Sequence, residues 1–204
     1  MKIICIGRNY AEHAYELNNE IPEEPVFFMK PDSSLLRNNS PFYIPDWTNE
    51  VHHEIELVIK INRLGKNIEK PFAHRYYSEI GLGIDFTARD VQRKLKEKGL
   101  PWEKAKAFDQ AAVISSTFLS VSKVAETGSI NFKLNVNNKT VQNGDSKLMI
   151  FNFDEIITHV SKYVTLKIGD LIFTGTPAGV GAVTIGDRLE GYIEDKKLLD
   201  FMIK

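Results

Sequence analysis

Apolar and polar positions alternate most regularly between residues 52 and 60. One set of alternate positions is aliphatic and consists of Ile55, Leu57 and Ile59. The other set includes Glu54 and Glu56. Because successive side chains of a β-strand point to opposite faces, the pattern predicts a strand with an aliphatic face in the core. The two carboxylates would then project together from the opposite face.

Apolar patterning also predicts the other elements of the chain. Short β-branched or apolar runs predict strands at residues 2–6, 26–29, 77–86, 112–117, 130–136 and 171–173. Helical spacing predicts helices at residues 10–17, 91–98 and 153–164. Asn9 is a candidate cap for the first helix, and Asn137-Asn138 is typical of a hairpin turn. Strands outnumber helices, so we expect a mainly β fold with peripheral helices (α+β).

Composition narrows the possible classes of protein. The 204 residues suit a single domain over residues 1–204, and the 43% hydrophobic fraction allows a sizeable core. The net charge of −1 gives no platform for nucleic acid or an anionic membrane, and no apolar run is long enough to span a bilayer. Cys5 is the only cysteine, which rules out an intramolecular disulfide and favours a buried thiol. We expect a cytoplasmic protein.

Three carboxylates are candidate metal ligands. Glu54 and Glu56 lie two residues apart on the predicted central strand, and Asp85 stands at the end of the strand at 77–86. Hard divalent cations prefer carboxylate oxygens, so the three side chains could share one ion. Two alternatives remain: the polar face of the central strand could simply be exposed to water, and Asp85 could cap the following helix.

Other candidate site residues are a histidine, a glutamate and two lysines. His13 and Glu16 are three residues apart on the first helix, where a carboxylate can orient an imidazole as a general base. Lys30, held extended before Pro31, could direct its ammonium at an anionic ligand. Lys106 lies between two alanines and could be partly desolvated. Solvated surface ion pairs and exposed lysines are the simpler alternatives.

Two loops could contribute to the same site. The glycine-rich stretch at residues 174–181 lacks the sequence of a phosphate-binding P-loop and the glycine spacing of a dinucleotide site. Its backbone N–H groups and hydroxyls could still hold a small carboxylate. The polar loop at residues 18–24 directly follows the His13–Glu16 helix, so it is a candidate lid.

The chain as a whole resembles the fumarylacetoacetate hydrolase family, in particular its short acylpyruvase and oxaloacetate decarboxylase members. Six blocks in the same order carry the resemblance, and they lie at residues 7–16, 28–31, 53–57, 83–92, 98–106 and 174–181. We expect the chain to lack the extra N-terminal domain of the large fumarylacetoacetases, and we therefore do not expect fumarylacetoacetate itself as its substrate.

The resemblance implies a mixed β-sandwich roll, a homodimer, and Mg²⁺ or Mn²⁺ as cofactor, with Ca²⁺ as a substitute in a crystal. By this likeness Glu54, Glu56 and Asp85 match the metal ligands. The catalytic residues would be His13, Glu16 and Lys106. The residues expected to bind the keto-acid substrate are Arg8, Lys30, Arg89, Gln92 and Thr176.

Four functions agree with these residues. The first is metal-dependent hydrolysis of a C–C bond in acylpyruvate-like 2,4-dioxo acids, which releases a carboxylate and pyruvate. The second is decarboxylation of oxaloacetate on the same site, and the third is keto–enol tautomerisation or isomerisation of keto acids. The fourth is a non-catalytic β-domain whose carboxylates bind a structural cation. The His13–Glu16 pair argues against the fourth function but serves all of the first three.

Overall fold

The computed structural model describes residues 1–16, 20–126 and 128–204. Its strands lie as follows: β1 Ile3–Gly7, β2 Val26–Lys30, β3 Leu35–Leu36, β4 Val51–His53, β5 Ile55–Ile61, β6 Tyr77–Asp85, β7 Thr87–Ala88, β8 Ala112–Ile114, β9 Leu119–Ser120, β10 Asn131–Val136, β11 Lys139–Asp145, β12 Leu171–Phe173, β13 Gly181–Ala182, β14 Arg188–Ile193 and β15 Lys196–Met202. The α-helices are α1 Ala11–Glu16, α2 Lys70–Ala73, α3 Arg89–Glu97, α4 Glu103–Lys106, α5 Val121–Val124 and α6 Phe153–Tyr163.

The strands form three sheets in the described residues. The largest has the order β2-β1-β12-β5-β6-β8-β3, with β9 paired to β6. A second sheet has the order β11-β10-β14-β15, and a small third sheet has the order β13-β4-β7. Most pairings are antiparallel, but β1–β12 and β3–β8 are parallel. The expected mainly β, mixed fold with peripheral helices is therefore confirmed.

The two larger sheets pack face to face over one main core. Gly191 of β14 lies against β6, where a Cβ atom at this position would come within 2.7 Å of Leu82 Cδ2. The main hydrophobic cluster includes residues from Ile4 near the start of the chain to Ile203 near its end. Ile55, Leu57 and Ile59 belong to this cluster, as the alternation predicts.

The central strand differs from the prediction at one residue. Instead of one strand over residues 52–60, β4 ends at His53 and β5 begins at Ile55 in a different sheet. The buried amide of Gln142 stabilises the break, because its Oε1 accepts a hydrogen bond from the Ile55 backbone N–H at 3.0 Å and lies 2.9 Å from His53 Nδ1. Glu54 thus sits at a junction between two sheets.

Smaller differences also have local causes. The side chain of Asn9 does not cap α1; it bonds instead to the backbone of Phe151 and Thr174. Strand β8 is shorter than predicted, since the Ser115 hydroxyl replaces a ladder bond by accepting from the Leu82 N–H at 3.0 Å. Asn137 and Asn138 both have positive φ, as the predicted hairpin turn requires.

Two other predictions concern residues near α1 and Cys5. The candidate lid at residues 18–24 lies partly outside the described residues, because residues 17–19 are not described. Cys5 is buried, as expected. Of the helices in the described ranges, none combines the length and apolar character needed to cross a membrane.

Gly83 of β6 leaves space for the aromatic ring of Phe173, a residue of β12. A Cβ atom at Gly83 would lie 2.4 Å from Phe173 Cε1 and 2.8 Å from the Val113 carbonyl oxygen. We expect Gly83→Ala to lower the free energy of unfolding by about 1–3 kcal/mol, because the added methyl overpacks a rigid strand. Denaturant unfolding checks this result. Gly7→Ala is the control, since its Cβ would be no nearer than 3.9 Å to a neighbour; an equal loss in both variants would contradict the packing explanation.

Candidate active site and metal centre

Three carboxylates converge where β4, β5 and β6 meet. Glu54 lies at the β4–β5 junction, Glu56 is the second residue of β5, and Asp85 ends β6. Each offers one oxygen, and these oxygens all lie within 4.8 Å of one another. The three residues are 5%, 2% and 1% exposed, so the alternative of a wet strand face is wrong. They form a candidate divalent-metal site, because hard cations favour such a set of oxygen ligands.

Buried lysines surround this cluster. Lys106 Nζ lies 2.8 Å from Glu54 Oε2 and 3.0 Å from Asp85 Oδ2, and it donates to Thr87 Oγ1 at 2.6 Å. The side chain of Lys106 is 4% exposed, as its alanine neighbours suggested. Its ammonium also lies 5.2 Å from the centre of the Phe28 ring. Lys106 thus neutralises part of the charge of two carboxylates inside the protein.

Lys30 occupies a different place from the one expected. Its side chain is fully buried and does not line the cleft. Its Nζ forms an ion pair with Asp85 Oδ1 at 2.6 Å and donates to the Ala111 carbonyl at 2.9 Å. The expectation that Lys30 binds substrate is therefore corrected: its ammonium is buried and pairs with Asp85 on the side away from the cleft.

The carboxylates differ in electrostatic environment. Burial alone would raise the pKa of Glu54, but the charges of Lys106 and Arg89 outweigh it and hold that pKa well below its usual range. Burial raises the pKa of Glu56, and the carboxylates of Asp85 and Glu54 raise it further. Among the described residues, Glu56 has no cation at ion-pair distance; its Oε2 accepts the Gly175 N–H at 2.7 Å.

The glycine-rich loop behaves partly as predicted. It does hold a carboxylate with a backbone N–H, but the carboxylate is the protein's own Glu56. Gly175 has φ 101°, and a Cβ there would lie 2.6 Å from Asn9 Cβ, so this position requires glycine. Thr176 lines the cleft, and its Oγ1 accepts a hydrogen bond from Gln142 Nε2 at 2.8 Å.

Arg89 and Gln92 lie at the start of α3, which begins two residues earlier than predicted. Arg89 Nη2 donates to Glu54 Oε1 at 2.5 Å, and Arg89 Nη1 donates to Gln92 Oε1 at 2.6 Å. Both side chains are buried and line the cleft. Asp85 does not cap this helix, because its carboxylate is held by the two lysines.

His13 and Glu16 form the expected pair on α1. His13 Nδ1 lies 3.1 Å from Glu16 Oε2, and the Gly179 N–H donates to Glu16 Oε1 at 3.1 Å. His13 is buried and lines the cleft. The contact between Glu16 and Gly179 connects α1 to the glycine-rich loop, so the loop helps to orient the imidazole.

One cleft brings most of the predicted residues together. Those that line it are Arg8, His13, Glu54, Glu56, Asp85, Arg89, Gln92, Lys106 and Thr176. Five further lining residues were not predicted as site residues from the sequence: Ile6, Gly7, Phe28, Lys96 and Trp102. Two other buried or supporting positions were also not predicted from the sequence. Thr87 contacts the carboxylate of Glu54, and Gln142 donates to Thr176. Of these two residues, only Thr87 lies close in the sequence to a predicted site residue, because it follows Asp85 by two positions.

A comparison with protein-family models identifies the group to which the chain belongs. Residues 2–201 match the family described as "Fumarylacetoacetate (FAA) hydrolase C-terminal". The chain belongs to the fumarylacetoacetate hydrolase family. The resemblance inferred from the six sequence blocks is thereby confirmed.

Three proteins that are similar to this chain have names that refer to oxaloacetate. "Oxaloacetate tautomerase FAHD1, mitochondrial" of Rattus norvegicus is 39% identical over 202 residues, which cover 99% of this chain and 91% of that protein. "Oxaloacetate decarboxylase, mitochondrial" of Dictyostelium discoideum is 43% identical over 190 residues, which cover 93% and 87%. "Oxaloacetate tautomerase YcgM" of Escherichia coli is 38% identical over 188 residues, which cover 92% and 86%.

Solved structures of the family share the fold. A fumarylpyruvate hydrolase from Pseudomonas aeruginosa, crystallised with Mn²⁺ and pyruvate, superposes with a TM-score of 0.93 at 35% identity. The match covers all of this chain and 89% of that one. A fumarylacetoacetate hydrolase family protein from Yersinia pestis gives a TM-score of 0.94 at 36% identity, with 100% and 93% covered. The fold of the fumarylacetoacetate hydrolase family, which the sequence led us to expect, is confirmed.

Proposed function

We propose that the chain is a divalent-metal-dependent enzyme that interconverts the keto and enol forms of oxaloacetate, with oxaloacetate decarboxylation as a related activity. The observation that carries this proposal is the buried cluster of Glu54, Glu56 and Asp85 with Lys106 and Arg89 beside it. The names of the relatives favour this reaction over the hydrolysis of acylpyruvates, which was the first expectation from the sequence.

The carboxylate cluster fits Mg²⁺ or Mn²⁺. Its ligand atoms are all hard oxygens, and Glu56 has no cationic side-chain partner among the described residues. When bound, the cation would act as a Lewis acid on the 2-oxo group of the substrate. Mn²⁺ in the P. aeruginosa relative supports the choice of a divalent cation.

Enolisation removes a proton from C3 of oxaloacetate and adds one to the oxygen at C2. His13 is the proposed proton-transfer group, because Glu16 engages Nδ1 and thereby leaves Nε2 for a substrate in the cleft. Lys106 and Arg89 supply fixed positive charge where negative charge develops on the C2 oxygen. In decarboxylation the C3–C4 bond breaks instead, CO₂ leaves, and the enolate of pyruvate remains, which takes a proton at C3 to give pyruvate.

Hydrolysis of acylpyruvate-type 2,4-dioxo acids is the second candidate. It is favoured by the partly buried contact of His13 with Glu16, because an oriented imidazole can take a proton from an attacking water. Water addition to the C4 carbonyl would break the C3–C4 bond and release a carboxylate and pyruvate. Both candidates need the same metal site, so products and not metal dependence distinguish them.

We also propose a substrate class, an oligomeric state and a cellular location for the protein. We propose a keto-acid substrate, a homodimer and a cytoplasmic location, the last two resting on family likeness and on composition. Two of the relatives named above are mitochondrial proteins, so the location needs its own measurement.

Product analysis by ¹H NMR tests the proposed reaction. Oxaloacetate and acetylpyruvate are incubated with the protein and Mg²⁺, Mn²⁺ or a chelator. We expect metal-dependent conversion between enol and keto oxaloacetate. Pyruvate from oxaloacetate would add the decarboxylase activity, and acetate with pyruvate from acetylpyruvate would favour the hydrolase. No metal-dependent change in either compound would contradict the proposal.

Replacing His13 with asparagine isolates its proton-transfer role. The asparagine amide can still donate to Glu16 but cannot act as a base, so we expect a rate loss of about 10²–10⁴-fold. Mn²⁺ affinity, measured by calorimetry, should stay within about threefold of wild type, because His13 is not a ligand. The control is His74→Asn at an exposed histidine. A His13→Asn variant with full activity would remove His13 from the mechanism.

A further inference from the structure

A row of side-chain contacts leads from the metal cluster to the protein surface. Arg89 Nη2 donates to Glu54 Oε1 at 2.5 Å, and Arg89 Nε donates to His52 Nδ1 at 3.4 Å. His52 Nε2 lies 2.8 Å from Glu50 Oε1, and Arg93 Nη2 contacts Glu50 Oε2. The exposed fraction of the side chains rises along the row, from 6% for Arg89 to 16% for His52 and 57% for Arg93. Since His52 does not line the cleft, its side chain contacts the site through Arg89.

The positions of the hydrogens in this row follow from the chemistry of arginine. A guanidinium only donates hydrogen bonds, so the His52 Nδ1 atom that receives the Arg89 Nε–H must be the acceptor nitrogen of a neutral ring. The ring hydrogen is then on Nε2, from which it donates to the Glu50 carboxylate at 2.8 Å. Glu50 therefore selects the one tautomer of His52 that can accept from Arg89.

Three side chains of the described residues hold the guanidinium of Arg89. Gln92 accepts from Nη1 at 2.6 Å, Glu54 accepts from Nη2, and His52 accepts from Nε. A planar fork that is bound through all three of its nitrogens is fixed in both position and orientation. Glu54 and Gln92 line the cleft, whereas His52 does not. His52 can therefore be replaced without a change in the groups that face the substrate.

The backbone holds the His52 ring and Arg89 at a fixed separation. His52 lies in β4, where it pairs with Thr87 of β7 on one side and with Ala182 of β13 on the other. The Glu50 carbonyl oxygen accepts the Arg89 backbone N–H at 2.8 Å, and this bond joins the start of α3 to the chain just before β4. The ring is thus presented to the guanidinium by a strand that is paired on both edges.

We propose that His52 is a positioning residue, which keeps the guanidinium of Arg89 in the orientation that the reaction needs. This inference rests on the proposed function, in which Arg89 supplies positive charge beside the C2 oxygen of the substrate. That charge matters most in the transition state, where the oxygen becomes negative. Without the His52 acceptor the Arg89 Nε–H is buried with no partner, so the guanidinium is free to turn out of this orientation. The loss should lower kcat and leave KM nearly unchanged.

Two replacements of His52 test the role of its Nδ1 atom. Leucine has a similar size and no acceptor, so for His52→Leu we expect kcat on oxaloacetate to fall about tenfold or more, with KM within about twofold of wild type. In His52→Asn the carboxamide oxygen lies near the position of Nδ1 and can accept from Arg89, so most of kcat should be retained. His74→Leu, at an exposed histidine, is the control and should match wild type. Equal losses of kcat in His52→Leu and His52→Asn would overturn the proposal.

A double-mutant cycle shows whether His52 acts through Arg89. Arg89→Lys keeps a positive charge and removes the Nε–H that His52 accepts, so it should lower kcat by itself. Adding His52→Leu to this variant should lower kcat by less than about twofold more, because the contact between the two residues is already absent. A further loss as large as that of His52→Leu alone would overturn the proposal, since the two residues would then act independently.

Nitrogen-15 NMR tests the contact without turnover. In wild type with Mg²⁺ at about pH 8, where an ordinary histidine is neutral, we expect the His52 hydrogen on Nε2 and an Arg89 Nε–H that is protected from exchange with water. The same Arg89 signal should exchange faster in His52→Leu, which leaves it no acceptor. If wild type converts no oxaloacetate, the proposed reaction fails and these two signals alone judge whether His52 fixes Arg89. A hydrogen on Nδ1, or equal exchange of Arg89 Nε–H in both proteins, would overturn the inference.

Discussion

Replacing Glu56 with glutamine should abolish divalent-metal binding and lower metal-dependent turnover at least about 10³-fold, without destabilising the metal-free protein. The carboxamide oxygen can still accept the Gly175 N–H, which is the one hydrogen bond of the Glu56 side chain among the described residues. It also removes a buried negative charge beside Asp85 and Glu54, whose proximity raises the pKa of Glu56. The metal-free variant should therefore be at least as stable as metal-free wild type.

Thermal unfolding with and without Mn²⁺ measures this difference. At a metal concentration of about 100 times Kd, wild type should gain about 2.7 kcal/mol, whereas Glu56→Gln should gain nothing. Glu69→Gln, at an exposed glutamate, is the matched control and should respond like wild type. A Glu56→Gln variant that keeps the Mn²⁺-dependent gain would show that the ion binds elsewhere.

Replacing Lys106 with methionine should destabilise the metal-free protein by about 3–5 kcal/mol and lower activity at least about 10²-fold. The reason is that Glu54 and Asp85 would lose a buried cation that lies within 3.0 Å of both. Because a bound divalent cation replaces part of that charge, Mn²⁺ should stabilise the variant more than it stabilises wild type. The activity should stay low even with metal, since the lysine also supplies charge beside the substrate.

Denaturant unfolding with and without Mn²⁺ checks the expected changes in stability, and the turnover of the Mn²⁺-loaded variant checks the expected loss of activity. Lys104→Met is the control, because Lys104 lies on the same short helix and is exposed. A Lys106→Met protein as stable as wild type in the absence of metal would contradict the electrostatic role. Full activity in the metal-loaded variant would contradict the catalytic role.

The local pattern of the sequence accounts for much of this site. Alternation at residues 52–60 placed Glu54 and Glu56 together, and the alanines beside Lys106 indicated its burial. The spacing of His13 and Glu16 was enough to predict their contact. These features depend on neighbours within a few residues, where the geometry of a strand or a helix fixes the relative positions of side chains.

Features set by distant residues could not be predicted. The break at Glu54 depends on Gln142, whose amide reaches His53 and Ile55 from β11. The position of Lys30 behind Asp85 depends on the pairing of β1 with β2 and of β6 with β8, and not on the residues near Lys30. Lys96 lies on a lysine-rich helix that is typical of a solvated surface, and only the packing of α3 beside the cleft separates it from the other lysines.

The most direct test of the central claim is the rate at which enol-oxaloacetate disappears. Rapid-mixing absorbance measures this rate before decarboxylation contributes. With Mg²⁺ the wild type should accelerate the decay in proportion to its concentration, and chelator or Glu56→Gln should return the decay to the rate in buffer. A decay that is equally fast in chelator, or in Glu56→Gln, would contradict catalysis at the cluster of Glu54, Glu56 and Asp85.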